Sequence, residues 1–122
     1  MILEEHTTSD GLLTLIVQQF DDGPAIGFAG LSWHTHPDLL VGYYGDDEEK
    51  ALRSFVSAIL NDKLLIVCSV ARDRVERAWV DDNLQDAMEA AAGSKTMKVR
   101  YWSGWLSSEM NTSAASASSQ QS

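Results

Sequence analysis

The stretch from Asp46 to Leu60 constrains what this chain can fold into more than any other. Leu52, Phe55, Val56, Ile59 and Leu60 recur at i, i+3, i+4, i+7 and i+8, which puts all five on one side of an α-helix. Asp46 and Glu49 stand at the N-cap and N3 positions, a capping-box arrangement with Asp in place of Ser or Thr. Asn61 and Asp62 close the helix. A helix with one apolar side draws most of its stability from the surface that side packs on, and the segments flanking this one read as strands.

Upstream, residues 1–10 read as a polar lead-in, and Leu12 to Phe20 predicts a strand rich in Leu, Ile and Val. Asp21-Asp-Gly-Pro24 predicts a turn, because Gly supplies a positive φ, Pro fixes its own φ and Asp bonds its own backbone. Ala25 to His36 returns as a second strand, with Gly27 and Gly30 marking a bulge or a close approach. Pro37 ends it, and residues 38–45 form a loop carrying Leu39, Leu40, Tyr43 and Tyr44.

Downstream, Leu64 to Val70 is the continuous apolar run of a central strand. Ala71 to Arg74 turns into a partner strand, Val75 to Val80. Asp81 or Asp82 caps a short second helix lined by Leu84, Ala87, Met88 and Ala91 and stopped by Gly93. Met97, Val99 and Tyr101 alternate with Lys98 and Arg100 in a half-exposed last strand, and Tyr101 to Trp105 reads as its packing. The order ββ-α-ββ-α-β predicts an α+β domain over residues 1–106. It would hold a mainly antiparallel sheet of about five strands, with two helices packed on one face. Residues 107–122, almost all Ser, Ala, Gln, Thr and Asn, are expected to be disordered.

Charge narrows the function. The net charge is −9, and residues 1–62 hold eleven acids against two bases, while residues 63–122 hold seven of each. An acidic front half repels nucleic-acid phosphates and speeds encounter with a basic protein. No apolar run approaches the roughly 20 residues that cross a bilayer. Cys68 is the only cysteine and lies within an apolar run, which predicts an inert thiol in a reducing compartment, and the cytoplasm is the expected location. No phosphate-binding glycine loop or nucleophile elbow occurs.

The candidate site is the stretch from Leu31 to Glu49. His34 and His36, two apart in a strand, project from the same face and could share a metal ion. They could equally hydrogen-bond loop carbonyls or the Asp46–Glu49 carboxylates. Asp47, and alternatively Glu4, Glu5 or His6, could complete a metal set. Trp33, Tyr43 and Tyr44 lie near Asp38, Asp46, Asp47, Glu48 and Glu49, a mixture of aromatic anchors and carboxylates that suits a basic partner.

His34-Thr-His36-Pro37, followed after ten residues by Asp47, resembles the zinc signature of the JAMM (JAB/MPN) metallopeptidases. That resemblance implies zinc on His34, His36 and Asp47, with Glu4 or Glu5 polarising the zinc-bound water for hydrolysis of a peptide or isopeptide bond. Tyr44 stands where the family carries a serine. The chain as a whole, small and acidic, with Trp33 to Pro37, a capped helix and a closing Arg100-Tyr-Trp-Ser-Gly strand, resembles bacterial immunity proteins of polymorphic toxin systems. This second resemblance implies no catalysis and no cofactor. It implies a monomer or homodimer that blocks a basic toxin domain through Trp33, His34, His36, Asp38, Tyr44, Asp46, Asp47 and Glu48.

Overall fold

Among the described residues, eight strands form two separate four-stranded antiparallel sheets rather than one sheet of five. The computed structural model describes residues 1–106, and the disorder expected of 107–122 lies outside them. The first sheet takes its strands in chain order: β1 (Ile2–Thr7), β2 (Thr14–Phe20), β3 (Gly23–Phe28) and β4 (His34–Thr35). The second runs β6-β5-β7-β8, from β5 (Leu65–Ala71), β6 (Arg74–Asp81), β7 (Met97–Tyr101) and β8 (Gly104–Trp105). Among the described residues, three helices, α1 (Pro37–Leu40), α2 (Glu48–Leu60) and α3 (Leu84–Ala92), complete an α+β architecture. Among the described residues, no helix is long and apolar enough to cross a membrane.

Two of the three extra strands come from segments whose partners are local. The expected long strand from Ala25 to His36 folds back on itself: Gly30 takes φ +78, Leu31 N–H donates to the Phe28 carbonyl, and β4 then pairs with β3. Trp102 and Ser103 turn β7 into β8 in the same way. The third, β1, replaces the expected loose lead-in. It is an edge strand whose side chains at Glu4 and His6 bond each other, while Glu4 also pairs with Arg53 on α2. The His6 hydrogen bond and the Arg53 charge hold the Glu4 carboxyl below its usual range, against a smaller opposing effect of burial.

The two longer helices, α2 and α3, lie on opposite faces of the second sheet, not on one. The main core joins Leu15, Val17, Ile26 and Phe28 of the first sheet to Leu52, Phe55, Val56 and Ile59 of α2 and to Ile66 and Cys68 of β5. Alternate residues of β5, Leu65 and Val67, face the other way and pack with Val99 against Ala87, Met88 and Ala91 of α3. The N-cap of α2 is Asp47 rather than Asp46: its carboxylate accepts from Lys50 N–H at 2.8 Å. Asn83, not Asp81 or Asp82, caps α3 and accepts from Asp86 N–H.

Arg100 departs furthest from its expected exposure. It lies opposite Ile66 on the core-facing side of β7 and is 1% exposed. Its Nη1 donates to Asp10 Oδ2 at 2.8 Å, Nε to the Tyr101 carbonyl and Nη2 to the Trp102 carbonyl, and its guanidinium lies 4.7 Å over the Trp105 ring. Asp10, in the β1–β2 loop, also accepts from Thr8 Oγ1 and Leu12 N–H. Burial pushes the Asp10 carboxyl up, but these hydrogen bonds and the Arg100 charge outweigh it and hold the group below its usual value.

Truncating Asp10 to Ala strands a buried guanidinium without its counter-charge and is expected to cost about 3 kcal/mol at neutral pH. A carboxyl depressed by folding stabilises above its unfolded value and loses that contribution as pH falls through the folded one. Urea midpoints of the parent and Asp10→Asn should therefore differ at pH 7 and converge below about pH 4.

Candidate functional site

The residues singled out in the sequence gather at one end of the molecule, where β4, α1 and the start of α2 meet, but around several recesses instead of one. Gly27 positions the histidines. A Cβ there would lie 2.8 Å from the Trp33 carbonyl oxygen and 3.2 Å from His34 Cβ, so only glycine lets β4 approach β3 this closely. Directly opposite Gly27 stands His34, and His36 follows on the same side. The two rings are 5.1 Å apart and perpendicular.

Each imidazole is anchored through Nδ1, His34 on the Ser32 carbonyl at 3.1 Å and His36 on the Pro24 carbonyl at 3.3 Å. A carbonyl oxygen only accepts, so Nδ1 carries the proton and Nε2 of the neutral ring is left as an acceptor. Of the arrangements open from sequence, His34 adopts the bond to a loop carbonyl, that of Ser32, whereas His36 bonds the Pro24 carbonyl within β3. Both rings, with Asp22, border an open groove of about 400 Å³ on the outer face of the first sheet, whose floor includes Ala25 and Gly27.

The ligand set implied by the metallopeptidase resemblance is not brought together. Among the described residues, no three His, Cys, Asp or Glu side chains are grouped so as to hold a metal ion. Asp47 is committed to the α2 N-terminus. Glu4 and His6 face Arg53 and each other. The Cys68 thiol is no nucleophile either, since burial raises it to about 12.

The carboxylates divide between two recesses. His36, Asp38 and Glu48 share one of about 420 Å³ with Asp22 and Leu39. Among the described residues, the side chains of Asp22, Asp38 and Glu48 have no ion-pair or hydrogen-bond partner. Asp46 and Asp47 border another recess with Tyr44, and there Asp46 pairs with Lys50 at 3.3 Å. Gly45 allows this arrangement, because a Cβ on it would meet Ala51 N at 2.6 Å.

Trp33 and Tyr44 are half-buried. Trp33 packs 5.8 Å from Phe28, and Tyr44 meets Phe55 edge-on at 5.1 Å. Burial, and then the nearby Asp82 charge, raise the Tyr44 hydroxyl above its usual value. Leu39 and Tyr43 are the reverse case, 64% and 84% exposed on and just after α1.

No family model, curated protein or solved structure matches the chain.

Asp22, Asp81 and Asp82 escape a sequence reading of the site. The first reads as a turn residue and the other two as helix caps, and only folding brings them beside His36 and Tyr44.

Gly27→Ala should force β4 away from β3, lower stability by about 2 kcal/mol and shift the His34 and His36 ring resonances together. Unmoved histidine resonances would mean that β4 does not depend on this approach.

Proposed function

We propose that this chain is a non-enzymatic acidic binding protein, of the immunity type, that engages a basic toxin domain through the end carrying α1. What carries this reading is the pairing of exposed apolar side chains with uncommitted carboxylates. Leu39 and Tyr43 project from the α1 turn, and Asp22, Asp38 and Glu48, beside Leu39, have no cationic partner among the described residues. A basic partner would bury the two apolar side chains and supply Lys or Arg to the carboxylates. The confinement of the net charge to residues 1–62 adds long-range attraction toward the same partner. By this reading the chain works in the cytoplasm of a bacterium, beside the toxin it neutralises, and needs no cofactor.

Contributions within the surface differ by residue. Asp38 and Glu48 are free to pair with the partner. Asp47 holds the α2 N-terminus and Asp46 pairs with Lys50, so both carry structural duties as well. Trp33 and Tyr44 support the surface from behind.

The test is binding to the product of the neighbouring reading frame. Association with Asp38→Lys/Glu48→Lys should be about tenfold slower at low salt, with thermal stability nearly unchanged. Tyr43→Ala should instead speed dissociation. A salt-independent association rate, or a neighbouring product without a toxin domain, would sink the reading.

A further inference from the structure

A recess of about 350 Å³ lies where β4, α1 and α2 meet the end of β6, and its walls are chemically distinctive. Trp33, Tyr44 and Phe55 supply three aromatic rings, and Asp81 and Asp82 stand with them. Asp81 spends one oxygen on the Asn83 N–H. The Asp82 carboxylate has no hydrogen bond or ion pair among the described residues, although its charge is felt at the Tyr44 hydroxyl. Among the described residues, no Lys or Arg borders the recess.

The same protein shows what such walls hold. At Arg100, a guanidinium is received by an aromatic ring, Trp105, together with the carboxylate of Asp10 and two carbonyls. Arg77 lies 5.8 Å over Trp79. The recess shares with the Arg100 setting aromatic side chains and carboxylate oxygens, and no arginine lines it among the described residues.

The geometry points to a binding site for a guanidinium group in the recess formed by Trp33, Tyr44, Phe55, Asp81 and Asp82. Aromatic faces attract a cation and stack best on a planar one. Carboxylate oxygens with unspent lone pairs favour a cation carrying N–H donors in a fixed fork, which excludes quaternary ammonium and places guanidinium ahead of a primary amine. The volume is at the small end for ligand sites and suits one such head and its alkyl stem. The group comes either from a free small molecule or from an arginine side chain of another protein. The site stands independently of the proposed toxin partner, because it can be probed without one.

The experiment is a titration of the isotope-labelled full chain, followed by amide and indole NMR signals. The probes are ethylguanidinium, butylammonium and a short peptide containing a single arginine. Ethylguanidinium should give saturable shifts at Trp33, Tyr44, Asp81 and Asp82. Butylammonium should bind about tenfold more weakly, and Asp82→Asn should weaken ethylguanidinium by about tenfold. The Asp82 side chain makes no hydrogen bond, so this variant is expected to fold; Trp33→Leu, which removes one ring, gives a second check. A peptide that binds far more tightly than ethylguanidinium assigns the site to a protein's arginine, and equal affinities assign it to a free guanidine. Either result upholds a guanidinium site. Absence of saturable shifts up to about 50 mM, equal binding of butylammonium, an unchanged affinity in Asp82→Asn, or shifts confined to Asp22, Asp38 and Glu48 would overturn it.

Discussion

The Arg100 guanidinium is the group on which the arrangement of the two sheets depends. Removing a cation from water costs several kcal/mol unless its surroundings replace both the charge and the hydrogen bonds. Here the replacement comes from widely separated parts of the chain. Asp10 is presented by the loop between β1 and β2, whereas the two carbonyls and Trp105 come from the β7–β8 hairpin. The first sheet cannot slide on the second without opening this cluster. A second tie acts beside it: Asp62, at the end of α2 with φ +61, accepts from the Ser103 N–H and hydroxyl. The α2 stripe packs into the core between these ties.

Around the start of α2, short-range constraints dominate. Asp47 and Gly45 fix how the chain enters α2, one by capping and the other by the absence of a side chain. Gly27 does the same for β4. Between these points the chain from Trp33 to Asp46 makes a small helix and tight turns, so neighbouring side chains point into different recesses. The His, Asp and aromatic residues of this stretch therefore divide among several recesses, and among the described residues no three His, Cys, Asp or Glu side chains are grouped to hold a metal ion.

The legible parts of this fold are those encoded over a few residues. The stripe and the end of α2 follow from periodicity and from Asn61, and the run from Leu64 to Val70 gives the strand at the heart of the second sheet. Exact caps are harder, since Asp46 and Asp47 carry the same chemistry one residue apart. What stays hidden depends on contacts between distant residues. Glu4 meets Arg53 across 49 residues and Asp10 meets Arg100 across 90, and neither the strand character of β1 nor the burial of Arg100 has a local signature. At the site, the closeness of His34 and His36 is legible from strand alternation. The company of Asp22, Asp81 and Asp82 is not, because it arises only when the sheets and helices assemble.

The division of the fold also orders events during synthesis. The whole first sheet and α2 are translated before β5, so Leu15, Val17, Ile26 and Phe28 lack part of their cover until the second sheet exists. Growing chains with bare apolar faces and open strand edges associate readily. The half made first is also the half that carries nine net negative charges. Neighbouring nascent copies on one messenger would therefore repel each other during the interval when they are stickiest, and the neutral second half then arrives to close the core.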